Sequence, residues 1–271
     1  MTKPDIGKLE DQAKQLRRDI LTMLSEAGSG HTGSSLSCVE LILAIYSHKL
    51  RYNAKDPHWD GRDRFILSKG HGCPTQYAVL AHCGFFSKDK LKTLRKIGTL
   101  LQGHPQLGLP GLEASTGSLG QGLSIANGMA LSAKLDKKDT RVYCVLGDGE
   151  TNEGQVWEAA MTAAHNKLDN LCAIIDYNKL QIDGFLCDVK DMLLLDEKWE
   201  AFGWNVIEID GHDFVQIIES LDSAEKVKNK PTMIIAHTVK GKGVSFIENK
   251  AGWHGIAPKP DELESALKEL E

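Results

Sequence analysis

An α/β architecture, with a mostly parallel central sheet covered by helices on both faces, follows from how the apolar residues are grouped. After residue 140 the runs RVYCVLG (141–147), NLCAIID (170–176), WNVIEID (204–210) and PTMIIAHTV (231–239) are short, β-branched and largely apolar. Strands buried on both faces read this way, whereas strands with one wet face alternate. Helix-like stretches at about 154–167, 189–202 and 213–228 lie between them, the alternation that βαβ crossovers require. The 271 residues, 41% of them hydrophobic, hold one sizeable core. No repeat, low-complexity tract or flexible linker divides them, so a single domain over 1–271 is expected.

The elements follow in order. Residues 8–27 have apolar positions at helical spacing and stop at Gly28. The loop GSGHTGSS comes next, and Ser37 is placed to cap a helix over 38–47 whose Val39, Leu41, Ile42, Leu43 and Ile45 imply burial on most sides. Residues 64–68 read as a short strand ending in the loop 69–72, and Pro74 suits the first turn of a helix through about Cys83. The Gly- and Pro-rich segment 102–122, QGHPQLGLPGLEASTGSLGQG, is longer than an idle loop of a compact domain. It leads into a helix of small residues over 123–135, and the tail DELESALKELE reads as a charged amphipathic helix.

Composition excludes several classes. Charged residues make up 25% of the chain, the formal net charge is −5 and the signs are mixed, so no basic stripe of the kind nucleic acid requires is present. The longest apolar stretch, around 39–46, is broken by Glu40 and is far short of the ~20 residues of a membrane span. The opening MTKPDIGKLEDQ has no apolar signal core. Neither nucleic acid nor membrane is an expected partner, and the cytoplasm is the expected compartment. Six cysteines without a CxxC pair imply reduced thiols rather than a zinc or redox site.

The chemistry begins where the run 141–147 ends in Gly147-Asp148-Gly149-Glu150. The run 170–176 ends in Asp176-Tyr177-Asn178-Lys179-Leu180, so that Asn178 lies thirty positions after Asp148. One helix separates them, and a strand–helix–strand unit brings both strand ends to the edge where open α/β sheets bind ligands. An Asp carboxylate, an Asn amide oxygen and a backbone carbonyl are hard donors suited to Mg²⁺ or Ca²⁺. Glycine beside the carboxylate lets the backbone approach a phosphate. The pattern points to a diphosphate anchored by a divalent ion, although Asp-Gly after a strand is also a favoured turn on backbone grounds alone.

Gly147-Asp148-Gly149 with Asn178 is similar to the motif of thiamin-diphosphate enzymes, and further segments resemble, in order, the amino-terminal domain of transketolases. Ser29-Gly-His31-Thr-Gly33 resembles the family's SGHPG, Ser68-Lys-Gly-His71 its S-x-GH, and Gly103-His104-Pro105 its GHP. The segment 116–122 (TGSLGQG) resembles TGPLGQG, and 147–154 (GDGETNEG) with Trp157-Glu158-Ala159 looks like GDG-x₃-EG-x₃-EA. Gly252-Trp-His254-Gly255 matches the position of the family's last active-site histidine. Thr32 and Ser118 stand where the family commonly has Pro, which leaves every functional group in place and bears on substrate preference.

The resemblance implies a thiamin-diphosphate-binding fold with defined roles. Asp148, Asn178 and the Leu180 carbonyl hold the metal. Gly149, through its N–H, and Glu150 belong to the cofactor site, where His71 and His254 donate to phosphate oxygens and Gly117, Ser118 and Leu119 line the cofactor. His31, His104 and His254 face a sugar phosphate. Moving a two-carbon ketol unit from a ketose to an aldose needs protons shifted between hydroxyls near neutrality, which suits imidazole. Glu153 resembles a glutamate that meets its counterpart across a subunit interface, and it is equally a helix-start carboxylate favoured by the dipole. Lys240 and Lys242 either bring charge to the mouth of the site or sit in a solvated loop. His48, His58, His82, His165, His212 and His237 are read as structural.

A full transketolase is similar to this chain followed by two more domains, the first of which supplies the glutamate that bonds the cofactor's pyrimidine. The resemblance therefore implies a separate subunit carrying the pyrimidine-binding and carboxyl-terminal domains, paired with this one as an α2β2 heterotetramer. Pentose phosphates, sulfonated sugars and other ketose phosphates all remain open as substrates. The alternatives are a subunit of a 1-deoxyxylulose-phosphate synthase-like enzyme and a non-catalytic subunit. The EG-x₃-EA spacing and the GHP loop count against the first, the intact metal set and four loop histidines against the second.

Overall fold

The computed structural model describes residues 4–182 and 184–271. The strands are β1 (Arg64–Leu67), β2 (Val142–Gly147), β3 (Leu171–Tyr177), β4 (Leu180–Gln181), β5 (Gly184–Phe185), β6 (Asn205–Asp210) and β7 (Thr232–His237). The helices are α1 (Ile6–Ala27), α2 (Thr32–Leu36), α3 (Val39–Ala44), α4 (Cys73–His82), α5 (Gln121–Leu135), α6 (Gly154–His165), α7 (Leu186–Lys190), α8 (Leu195–Ala201), α9 (Phe214–Ala224) and α10 (Pro260–Glu269). Five strands form one sheet in the order β1-β2-β3-β7-β6, with every neighbouring pair parallel. β4 and β5 make a separate antiparallel pair.

The continuous apolar runs are explained by two cores, one on each face. Successive side chains of a strand point to opposite faces, and Tyr143, Val145, Cys172, Ile174, Ile234 and Ala236 enter a core built with α1, α3, α4 and α9. Their neighbours Cys144, Leu146, Ala173, Ile175, Met233 and Ile235 enter a second core with α5, α6 and α8. A parallel sheet sandwiched in this way is the predicted architecture.

Several local expectations hold. Gly28 ends α1 in the left-handed region at φ 64°, and Pro74 occupies the first turn of α4. The tail packs as α10 on α1, where Arg18 Nη1 donates to the Leu267 carbonyl at 2.8 Å. All six cysteines are free thiols, and among the described residues no helix is long and apolar enough to cross a membrane.

Other expectations need correction. Part of the loop GSGHTGSS coils into α2, and Ser37 caps nothing: α3 starts after Cys38, while the buried Ser37 hydroxyl donates to the Asp176 carboxylate at 2.6 Å. The helix expected over 189–202 is two short helices, because Leu194 adopts φ 55° directly before α8. Its neighbours Met192 and Leu195 are buried while Leu193 and Leu194 are exposed, so the four apolar residues serve a turn rather than one helical face.

Because the strands run parallel, their carboxyl ends share one edge. β1 leads there into Ser68 and Lys69, β2 into Asp148, β3 through Asp176 to Asn178, and β7 into Thr238 and Lys240.

Candidate functional site

At that edge lies a cavity of about 290 Å³. His31, His71, His104 and His254 line it together with Asp148, Gly149, Asn178 and Leu180, and Gly117, Leu119, Glu150 and Glu153 complete the set expected from sequence. Ser118 is the exception: it is exposed and is not among the lining residues, although both its neighbours are. A larger cavity, about 350 Å³, lies against α5 and α6, but Glu158 is the one ionisable group on its wall. The chemistry is concentrated in the first.

The strand ends build one wall. Gly147 pairs with Asp176 across β2 and β3, so Asp148 emerges beside the chain that turns through Asn178. The Asp148 carboxylate accepts the Gly149 N–H at 2.7 Å and the Lys179 N–H at 2.5 Å, and Asn178 Oδ1 accepts the Leu180 N–H at 3.1 Å. Lys179 turns the chain at φ 64°. Asp148 and Asn178 are both buried and face the same space. Burial, followed by the nearby Asp176 charge, pushes the Asp148 carboxyl up to about 7. A carboxylate this deep normally carries a cation, and the hard oxygens of Asp148, Asn178 and Leu180 suit a divalent one. Among the described residues no group of three His, Cys, Asp or Glu side chains is arranged for a metal, so a cation here would rest on the Asn178 amide and Leu180 carbonyl oxygens as well as on Asp148.

Sequence reasoning missed Lys69, which also lines the cavity, and Asp176, which sits directly behind this wall. Asp176 is fully buried and accepts from the Lys69 ammonium, from the Ser37 and Thr238 hydroxyls and, at 3.4 Å, from Asn178 Nδ2. Lys69 Nζ also donates to the Ser34 carbonyl at 2.8 Å. Burial alone raises the Asp176 carboxyl, but Lys69 and the hydroxyl bonds outweigh it and hold the group below the usual carboxylate range. Burial likewise disfavours the Lys69 charge, and Asp176 reverses that, leaving the ammonium above its ordinary value. The available signal was the one that revealed Asp148, a carboxylate closing an apolar strand.

Glu150 also has a structural task. It lines the cavity, yet its oxygens accept from Ser68 Oγ at 2.5 Å, Gly120 N at 2.9 Å and Gly147 N at 3.0 Å. Glu150 therefore braces three loops against each other. Two of them also touch at Gly70, where a Cβ atom would come within 2.7–2.9 Å of the Thr116 and Gly117 backbone. Gly70→Ala is expected to destabilise the chain by about 1–3 kcal/mol through overpacking. Gly128 of α5 has nothing within 4 Å of such a Cβ, so Gly128→Ala stabilises instead, by about 0.5–1 kcal/mol. Urea midpoints of the two variants check the pair.

The opposite wall is a cluster of imidazoles. The His31 ring lies 5.2 Å from His71, 5.5 Å from His254 and 6.1 Å from His104, and His71 lies 5.4 Å from His254. Burial and then His104 push His31 down to about 4; burial and then Lys240 push His254 down to about 3. His71 and His104 are lowered as well, chiefly by burial. All four are neutral at physiological pH and available to donate or accept hydrogen bonds. Lys240 is not in a solvated loop: it is buried with Nζ 2.8 Å from His254 Nδ1. Thr32 uses its hydroxyl to hold the Ile256 carbonyl at 2.6 Å, fastening the segment that carries His254. Glu153 is exposed on the rim at the first position before α6 without a side-chain capping bond.

The family described as "Transketolase, thiamine diphosphate binding domain" matches residues 10–270. A subunit of the 6-deoxy-6-sulfo-D-fructose transketolase of Clostridium sp. (strain MSTE9) is 43% identical over 97% of this chain and 96% of its own length. A subunit of the apulose-4-phosphate transketolase of Phocaeicola vulgatus is 42% identical over 98% of this chain and 94% of its own. The human transketolase is 42% identical over 99% of this chain but only 43% of its own length. The crystal structure of transketolase from Campylobacter jejuni superposes with a TM-score of 0.94 at 33% identity, over 98% of this chain and 43% of that one.

Proposed function

Because the chain belongs to the transketolase family, as its thiamin diphosphate-binding domain, we propose that it is the amino-terminal subunit of a two-chain transketolase. The enzyme transfers a two-carbon ketol unit from a ketose phosphate to an aldose phosphate. The observation that carries this reading is the meeting of Asp148, Asn178 and Leu180 with four neutral imidazoles on one cavity at the sheet edge. Its support is the length match with separately encoded transketolase subunits, against 43% of the human enzyme. The remaining domains then belong to a partner chain, and α2β2 is the arrangement that gives each site both halves. One domain over residues 1–271, acting in the cytoplasm on sugar phosphates of the pentose phosphate type, completes the reading.

Thiamin diphosphate, when bound, supplies the electron sink for breaking the carbon–carbon bond next to a carbonyl. The rest falls to the protein. Asp148, the Asn178 amide oxygen and the Leu180 carbonyl would hold Mg²⁺ or Ca²⁺, and Gly149 would give the diphosphate the N–H that it now gives the Asp148 carboxylate. His71 and His254 would donate to phosphate oxygens, and Leu119 would pack against the rings. Neutral imidazoles at His31, His104 and His254 pass protons between sugar hydroxyls without adding positive charge to a crowded cavity. Glu153, on the rim, is positioned to face a subunit contact.

To test this, the chain is mixed with a candidate partner, thiamin diphosphate and Mg²⁺, and ketol transfer is followed from xylulose, apulose and sulfofructose phosphate-type donors. Turnover is expected only when both chains are present. Full activity from this chain alone would defeat the two-chain reading.

A further inference from the structure

Lys240 carries an ammonium into a fully buried position, and the backbone on either side of it is gripped by a polar trio with no role in the site described above. Arg17 of α1 meets both carboxylate oxygens of Glu40, in α3, at 2.7 and 2.8 Å, and its Nε donates to the Lys242 carbonyl at 2.9 Å. Glu40 Oε2 lies 3.1 Å from Nδ1 of His212, in the turn between β6 and α9. The other ring nitrogen, Nε2, accepts the Val239 N–H at 2.8 Å. A ring nitrogen that accepts an N–H bears no proton, so the His212 proton sits on Nδ1 and bonds Glu40. Residues 239 and 242 are fixed by one network.

Lys240 between them has little freedom left. Gly241 N donates to the Gly33 carbonyl at 3.0 Å, Asn249 N to the Lys240 carbonyl at 2.9 Å, and a Cβ on Gly33 would meet Lys240 Cγ at 2.9 Å. Burial pushes Lys240 down to about 8, so at neutral pH it retains its charge. An ammonium has no acceptor, and His254 Nδ1 at 2.8 Å must therefore receive its hydrogen bond. That leaves the His254 proton on Nε2.

We propose that Arg17, Glu40 and His212 are positioning residues that hold the 239–242 turn so that Lys240 fixes the tautomer of His254. The relay reaches the cavity from α1, α3 and the β6–α9 turn, none of which lines it. Its consequence for ketol transfer rests on the function proposed above; its geometry does not. His31, His71 and Lys69 are the other groups that face His254, and none of them bonds the 239–242 turn through the trio.

The test uses the full chain, labelled with ¹⁵N in its imidazoles and read by NMR near pH 7 without cofactor. A failure to bind thiamin diphosphate is thus scored separately. The wild type shows His254 as a single Nε2–H tautomer. In His212→Leu, which offers Val239 no acceptor, the tautomer ratio falls by up to roughly tenfold toward a mixture, the worth of about one hydrogen bond. His212→Gln restores the acceptor and the wild-type spectrum. In a Lys240→Met background, His212→Leu changes nothing further, as expected of residues acting through one another. A His254 spectrum untouched by His212→Leu, or an equal change with and without Lys240, overturns the proposal. Should His212→Leu fail to fold, Arg17→Lys, which keeps the charge but cannot serve both Glu40 and Lys242, gives the same reading.

Discussion

Replacing Asp148 with alanine removes metal-dependent binding of thiamin diphosphate and leaves the parallel sheet in place. The residue emerges just after β2, with its carboxylate on the cavity and its backbone carbonyl holding Thr151 Oγ1 at 2.6 Å and Thr151 N at 3.0 Å. The alanine variant keeps those backbone bonds. It loses the acceptor for Gly149 N and Lys179 N, at a cost of about 1–3 kcal/mol for each donor left dry, partly offset because burial disfavours the carboxylate. The loss in binding is larger in kind. Residues that merely orient a metal ligand are worth about 10–100-fold in affinity, and the single charged ligand of this set is worth about 100-fold or more. Thermal melts separate the two effects: at ligand near 100 times its dissociation constant the wild type gains about 2.7 kcal/mol, and Asp148→Ala gains at most about 0.4 kcal/mol. A variant that is stabilised like the wild type removes Asp148 from the metal site.

Asp148 and Asn178 were legible because each follows a strand whose apolar run is unmistakable, and parallel strands leave their carboxyl ends together whatever the details of packing. The same logic delivered the two-faced sheet. What the sequence could not reveal is which way a polar side chain turns at that edge. Asp176 closes an apolar strand as Asp148 follows one, yet it points at Lys69 rather than at the cavity. Ser37 has the chemistry of a helix cap and of a buried donor, and the choice was made by Asp176, 139 positions away. Lys240 follows a strand in a glycine-rich turn, the ordinary setting of a solvated charge, and only the packing of Gly33 and His254 around it makes it interior. Ser118 was carried into the site by its neighbours Gly117 and Leu119, which line the cavity while Ser118 is exposed outside that lining.

Asp176→Ala is expected to be the most damaging single change for stability, costing about 3–5 kcal/mol, because it strands a buried ammonium. Lys69 is 1% exposed, and among the described residues no other carboxylate bonds it, so Asp176 is the partner that balances its charge. The carboxylate also joins four segments: the loop after β1 through Lys69, the α2–α3 junction through Ser37, the turn after β3 through Asn178 and the segment after β7 through Thr238. Adding Lys69→Met to Asp176→Ala should recover much of the loss, since removing both charges of a buried pair is often close to neutral. The recovery stays incomplete, because the Ser37 and Thr238 hydroxyls still lack their acceptor. Urea denaturation of the two single variants and the double variant measures this as a coupling energy. A loss below about 1 kcal/mol for Asp176→Ala would make the pair equivalent to a surface salt bridge and would remove the central tie between the loops that carry Asn178, the proposed metal ligand, and the imidazole of His71. The cavity would then owe its shape to backbone packing at Gly70 and to Glu150, and the fall in cofactor affinity expected of Asp176→Ala alongside its loss of stability would not appear.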